Sequence, residues 1–329
     1  MGGSEMKIGI ISFAHMHATS YASYLIGTKE VELACIWDDD EQRGKEMAEK
    51  YNCTFYSSLD DFLNTDIKAV VICSENINHR EHVIKSARAG KHILCEKPIA
   101  TEIIDAQEMI KVCKEEEVIF QLAYPVRFAP VVKKAKALIN SGAIGDILAI
   151  SGANRGKMPG GWFIEKDISG GGAAVDHIVH LMDVIRWTLG DEVKSVYAEL
   201  DTRFYDVEVE DCGIITLVLE SDVIVSIDPS WSRPQTFPVW GDVKLKFVGT
   251  KGNLAIDVWK EHSVYYNDTA EQIEQLDWTE DMDEGLIVDF ISCVREGRDP
   301  SVTGYDGLKT LEVVMAAYES NETKQTVLL

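Results

Sequence analysis

Between residues 6 and 123 short β-branched runs alternate with amphipathic helical stretches, and no other feature of the sequence constrains the fold as much. The runs at 7–12, 31–37, 69–74 and 92–95 read as strands, and the stretches at 16–26, 41–51, 59–63 and 79–89 as helices. A helix between consecutive strands carries the chain back to the starting edge, so the strands pair in parallel through right-handed crossovers. A helix at 101–117 and a strand at 118–123 complete a first domain. After Tyr124-Pro125 the grammar changes. Helices at 130–141 and 170–189 lead into five strand-like runs, 193–202, 212–219, 223–229, 243–249 and 254–259, with no helix between them. There Leu245 and Phe247 alternate with Lys244 and Lys246, the period of a sheet with one buried face. Helices at 284–296 and 305–320 close the chain. The pattern predicts a doubly wound α/β domain over 6–123, then an α+β domain over 124–329 with a large, mostly antiparallel open sheet and a C-terminal helix free to pack back on the first domain.

A chain of 329 residues has room for two such domains. Its 55 acidic against 32 basic side chains leave a net charge of −23. That field repels phosphate backbones and anionic lipid, which argues against nucleic acid and membrane surfaces as partners. The seven cysteines are dispersed, with no Cys-x-x-Cys pair, so neither a disulfide framework nor a structural zinc site is expected. Dispersed thiols suit a reducing compartment, and the apolar runs fall far short of the ~20 residues of a spanning helix. The opening Met1-Gly2-Gly3-Ser4-Glu5 lacks the basic start and apolar stretch of a secretory signal. A soluble, cytoplasmic protein is expected. Glu115-Glu116-Glu117 reads as a solvated helix end and the acid-rich segment 271–284 as an exposed loop, and no metal is expected.

A dinucleotide site wants glycines directly after the first strand, so that the backbone can approach a pyrophosphate at a helix N-terminus. Here the three glycine positions are Ser12, Ala14 and His17. Ser12 and Ala14 are small enough for close approach, whereas His17 adds bulk. About two dozen residues on, the second strand ends in Asp38, placed to accept from ribose hydroxyls, and Asp39 beside it would repel a 2′-phosphate. NAD is therefore favoured over NADP.

The segment from Ala69 to His79, the run Ala89-Gly90-Lys91-His92-Ile93-Leu94-Cys95-Glu96-Lys97-Pro98, Gly160-Gly161-Trp162, the stretch Gly170-Gly171-Gly172-Ala173-Ala174-Val175-Asp176-His177-Ile178-Val179-His180 and Ser230-Trp231-Ser232-Arg233-Pro234 together resemble the Gfo/Idh/MocA family of oxidoreductases, which includes glucose-fructose oxidoreductase and inositol dehydrogenase. The resemblance implies an N-terminal Rossmann domain and an α+β domain whose open sheet forms a homodimer or homotetramer interface. It also implies Lys97 as the active-site lysine, a cis Lys97–Pro98 bond, and Asp176 with His180 as its catalytic partners. The glycine-poor first loop departs from the family pattern.

Asp176 and His180, four apart, fall on one helix face, and an imidazole suits proton exchange with an alcohol near neutral pH. The expected cofactor contacts are Ser12, Phe13, Ala14, His15, Met16, Asp38, Ser74, Asn76, His79, Glu96 and Lys97. Tyr124, Arg127, Arg155, Trp162 and His177 are candidates for the substrate, and Trp231 and Arg233 share that candidacy. The expected activity is hydride transfer between a nicotinamide and a secondary alcohol or ketone of a carbohydrate-like small molecule. Two alternatives stand beside it: a non-catalytic ligand sensor of the same fold, and an NAD-using lyase or hydrolase working through transient oxidation.

Overall fold

The computed structural model describes residues 5–259, 262–267, 272–277 and 281–329, with 262–267 and 272–277 as backbone only. The chain forms two compact units. The first comprises Met1–Tyr124, Gly161–Gly170 and Leu286–Leu311; the second comprises Pro125–Gly160, Gly171–Gly285 and Glu312–Leu329. The first unit thus takes in the segment from 161 to 170 and the one from 286 to 311 besides the N-terminal stretch.

The first unit holds β1 (Met6–Ile11), α1 (His17–Gly27), β2 (Val31–Trp37), α2 (Glu41–Tyr51), β3 (Thr54–Tyr56), α3 (Leu59–Leu63), β4 (Ala69–Ile72), α4 (His79–Arg88), β5 (His92–Cys95), α5 (Ile103–Glu115) and β6 (Phe120–Leu122). All six strands are parallel, in the order β3-β2-β1-β4-β5-β6. The order reverses between β1 and β4, and in open α/β sheets ligands bind at such a reversal, beyond the carboxyl ends of the strands. Every position of β4 is buried, as a central parallel strand covered on both faces requires. β3 was not expected from sequence: three residues are too few to show a period.

The second unit contains α6 (Pro130–Asn140), β7 (Ile147–Gly156), α8 (Ala173–Leu189), β8 (Val193–Asp201), β9 (Cys212–Leu219), β10 (Ile224–Asp228), β11 (Gly241–Gly249) and β12 (Gly252–Asp257), while α7 (Lys166–Ser169) belongs to the first unit. Beyond them come β13 (His262–Asn267) and β14 (Gln272–Asp277), which form a separate hairpin, then α9 (Met282–Glu296), α10 (Gly304–Thr323) and β15 (Val327–Leu328). The acid-rich stretch read as a loop thus contributes a strand and the start of a helix; residues 271 and 278–280 lie outside the described residues. The large sheet runs β12-β11-β7-β10-β9-β8-β15 and is antiparallel except where β10 meets β7. Central β7 was missed in the sequence because it reads Ile-Leu-Ala-Ile-Ser-Gly-Ala-Asn-Arg-Gly, poor in β-branched residues. Its small side chains have a use: a Cβ on Gly152 would stand 3.1 Å from Leu181 of α8, which packs on this strand. The opposite face shows exposed Ile214 and Ile224.

All seven cysteines are free thiols, and burial pushes the Cys35 and Cys113 pKa values up to about 12. They behave as small apolar side chains. Among the described residues no helix is long and apolar enough to cross a membrane.

Candidate active site

In the first unit the polar side chains collect where β1, β2, β4 and β5 end. Ser12, directly after β1, takes a left-handed backbone conformation with φ 67°, which is the role of the missing glycine. Its Oγ accepts from Ala14 N at 3.2 Å and from Arg43 Nη2 at 3.2 Å. Asp38, after β2, accepts from Phe13 N at 2.8 Å and from Arg43 Nε at 2.9 Å and Nη2 at 2.6 Å. Burial alone would raise the Asp38 pKa, but Arg43 and the other donors hold it below the usual carboxylate value. Burial and the neighbouring Asp38 raise Asp39 to about 6. Ala14 O accepts from the indole of Trp162 at 3.2 Å, and Trp162 stacks on Phe163 at 3.8 Å. Met16 is exposed.

Ser74 and Asn76 follow β4. Ser74 Oγ lies 2.9 Å from His82 Nδ1. Asn76 Nδ2 donates to Ser169 O at 2.7 Å, while its Oδ1 is buried with no hydrogen-bond partner among the described residues. His79 is fully buried, with Nδ1 2.8 Å from Pro98 O and Nε2 3.2 Å from Ser74 O. It braces the turn that carries Lys97, and burial holds its pKa below the ordinary imidazole value. The Lys97–Pro98 bond is cis.

Glu96 and Lys97, at the end of β5, are both buried. The Glu96 carboxylate accepts from Tyr21 OH at 2.6 Å and from Lys97 N at 3.0 Å, and its Oε1 lies 3.0 Å from His17 Nδ1 and 3.8 Å from His15 Nδ1. Burial is the largest influence and pushes its pKa up, yet His15, His17 and Lys97 together outweigh it and hold the carboxyl well below its usual range. Neither Tyr21 nor the His15-His17-Glu96 set was expected from sequence. The local signal was the His-x-His spacing in the first loop, but Glu96 lies 79 residues beyond His17, and only the adjacency of β5 to β4 and of β4 to β1 explains the meeting.

In the second unit Asp176 and His180 lie in the first half of α8, both buried. Asp176 Oδ2 accepts from the indole of fully buried Trp231 at 3.1 Å and lies 3.2 Å from His177 Nε2. His177 Nδ1 is 3.0 Å from Pro229 O. The start of α8 is fixed by Glu210, whose Oε1 accepts from Gly172 N at 2.9 Å, Ala174 N at 3.0 Å and Tyr318 OH at 2.9 Å. A carboxylate on those free amide groups complements the helix dipole. The glycines there are dictated by space, since a Cβ at Gly171 would stand 1.9 Å from Tyr318 Oη and one at Gly172 2.0 Å from Glu210 O. Glu210 lies within a stretch that carries no motif, and sequence reasoning did not find it.

Several expected substrate residues are engaged within their own units. Arg127 forms a buried bidentate pair with Asp183, at 2.7 and 2.6 Å, and sits over the Trp187 ring. Fully buried Tyr124 shares a 2.6 Å hydrogen bond with Thr310. Arg155 and Arg233 both face the buried carboxylate of Asp242, which Lys244 joins at 3.2 Å.

Residues 6–124 match the profile described as "Oxidoreductase family, NAD-binding Rossmann fold", and residues 132–255 match the "GFO/IDH/MocA C-terminal domain". The chain belongs to the Gfo/Idh/MocA oxidoreductase family. Among its Gfo/Idh/MocA relatives, an oxidoreductase of Streptococcus pneumoniae is 32% identical over 77% of this chain and 69% of its own. A myo-inositol 2-dehydrogenase of Thermotoga maritima is 29% identical over 98% of both chains. The solved structure of GenD2 from gentamicin A biosynthesis, in complex with NAD, shares the fold with a TM-score of 0.89 at 23% identity, over 99% of this chain and 97% of that one. The residues present suit the family's dinucleotide. Asp38, directly after β2, is a buried carboxylate at the position where such folds hold ribose hydroxyls, and Asn76 Oδ1 is a buried acceptor with no hydrogen-bond partner among the described residues.

Proposed function

We propose that this oxidoreductase moves a hydride between NAD and the secondary alcohol or ketone carbon of a sugar, polyol or related carbohydrate. The observation that carries the reading is the set of buried polar groups beyond the carboxyl ends of the parallel strands, Ser12, Asp38, Ser74, Asn76, Glu96 and Lys97, with Asn76 Oδ1 lacking a partner. The nicotinamide, when bound, accepts or returns the hydride.

The protein's part is orientation and proton transfer. In this reading the Lys97 ammonium hydrogen-bonds the reacting oxygen, and His180 takes the hydroxyl proton as the carbinol is oxidised or returns it on reduction. Asp176, its carboxylate fixed by the Trp231 indole, orients the substrate and stabilises the imidazolium. His79 and Glu210 act as positioning residues for the Lys97 turn and for α8. A polyol substrate is supported by the full-length similarity to a myo-inositol 2-dehydrogenase. Asp38 and Asp39 favour NAD, because a 2′-phosphate would bring further negative charge to two carboxylates that share one arginine, Arg43. We place the enzyme in the cytoplasm and, from the exposed apolar face of the large sheet, in a homodimer or homotetramer.

The test begins with titration of cofactor-stripped protein by NADH and by NADPH, followed through energy transfer from tryptophan, and continues with a polyol screen. Lys97→Ala and His180→Ala should each lower kcat by ~10²–10⁴-fold, the usual scale of general acid–base catalysis, with the fold intact. Near-normal turnover in both variants would sink the assignment, and failure to bind either dinucleotide would favour the ligand sensor.

A further inference from the structure

We infer that His15, His17 and Glu96 form a binding site for a divalent first-row transition metal, of which zinc is the natural probe. One ligand atom from each of the three residues lies within 4.8 Å of the others. Glu96 Oε1 is 3.0 Å from His17 Nδ1 and 3.8 Å from His15 Nδ1, and His15 Nδ1 accepts from His17 N at 3.2 Å, a contact that coordination through this atom replaces. Donors held ~2.1 Å from a tetrahedral ion stand about 3.4 Å apart, and the two Glu96 distances bracket that value. Two imidazoles and one carboxylate are a donor set that zinc takes while keeping a fourth position for water or another ligand.

The site is also built to hold its shape. His15 N donates to Cys73 O at 2.9 Å, which fastens the loop to the end of β4, and Trp162 donates to Ala14 O from the other side. The rings of His15 and His17 meet edge to face at 4.6 Å, and Phe163 closes over His15 at 5.4 Å. Glu96 is fixed from outside the donor set by Tyr21 OH and Lys97 N, the kind of outer support that orients a ligating carboxylate. On coordination the His17–Glu96 hydrogen bond gives way to two bonds to the ion, and a neutral His17 ring then carries its single proton on Nε2 in place of Nδ1. The family resemblance does not call for the two histidines; one of them fills the third glycine position of the loop.

The inference goes beyond the hydride-transfer reading and rests on the first unit alone, so it is tested without dinucleotide or carbohydrate. Full-length protein, stripped by a chelator, is titrated with zinc chloride by calorimetry in excess magnesium, which occupies surface carboxylates. One tight site per chain is expected. His15→Gln and His17→Gln should each weaken it at least ~10-fold, the lower end of what losing even an outer partner of a metal site costs. Tyr21→Phe, which keeps all three ligands but removes the hydroxyl that fixes Glu96, should weaken it less than either histidine variant, and Glu41→Gln/Glu46→Gln on the exposed face of α2 should retain it. Zinc-edge absorption spectra of the loaded native protein should show imidazole scattering, a readout independent of how the variants fold. Absence of a one-to-one site, a site indifferent to both histidine variants, or spectra without imidazole would overturn the inference.

Discussion

Replacing Asp183 by Leu should destabilise the second unit by about 3–5 kcal/mol, the cost of removing one partner from a buried ion pair. Arg127 and Asp183 are 4% and 0% exposed, and the guanidinium meets both carboxylate oxygens, at 2.7 and 2.6 Å. Two charge-assisted hydrogen bonds at roughly 1.5–3 kcal/mol each reach the same scale from the other direction. Most of the loss comes from the stranded Arg127 charge, so removing it as well should recover stability. Asp183→Leu/Arg127→Met should lie within about 1–2 kcal/mol of the parent, because replacing a whole buried pair by apolar side chains is close to neutral. Urea unfolding of the four proteins gives the coupling, provided the m-values agree. If the single variant loses less than about 1 kcal/mol, or the double loses the sum of the singles, Arg127 and Asp183 are not coupled as their buried bidentate geometry requires. The cycle also decides the sequence-based expectation for Arg127: a substrate contact would raise KM in Arg127→Met/Asp183→Leu, whereas a bracing pair leaves KM unchanged.

Acid should weaken the fold through His82, whose pKa is lowered to about 4 by burial. The folded state disfavours its protonation, so stability is full above the unfolded value of ~6.5 and is lost as pH falls toward 4; this amounts to about 2 kcal/mol by pH 5, and His82→Gln should flatten that part of the urea-midpoint profile. Ile214→Asp/Ile224→Lys on the exposed sheet face should shift the assembly to monomer in light scattering, and an unchanged mass would exclude that face as the interface. Ser12→Gly should leave stability within about 1 kcal/mol, because relief of a left-handed non-glycine residue offsets the lost hydrogen bonds; a loss above about 3 kcal/mol in urea unfolding would refute that balance.

What could be read from the sequence followed the range of the interactions involved. Strand β2 and helices α2 and α3 have the expected bounds because their patterns are local: Asp40 caps α2 through Gln42 N and Arg43 N, and Ser58 caps α3 through Asp61 N. β7 escaped because a strand buried between two others can be built from small residues, whose selection comes from α8 and not from a period of two. Among the site residues, Lys97, Asp176 and His180 stood out by motif, whereas Tyr21 and Glu210 act through contacts spanning 75 and 108 residues. No local window carries such a contact. The same limit explains Arg127 and Tyr124, residue types that suit a ligand, whose partners Asp183 and Thr310 come from distant segments.

The first loop shows how glycine positions can be filled without abandoning the turn. At position 12 the requirement is backbone conformation, and serine meets it at φ 67° while its hydroxyl ties Ala14 N and Arg43 to the loop. At position 14 the requirement is a small side chain, which alanine supplies, and its carbonyl is engaged by Trp162. At position 17 a glycine would allow close packing of helix on strand; the imidazole instead reaches Glu96 at the end of β5. The departures at 12 and 17 therefore add side-chain contacts that glycine could not make, and these link the loop to Arg43 of α2 and to Glu96 after β5, while the backbone carbonyl at 14 holds Trp162. A flexible glycine-rich turn is exchanged for a bonded one, so less ordering should remain to be done when a ligand binds.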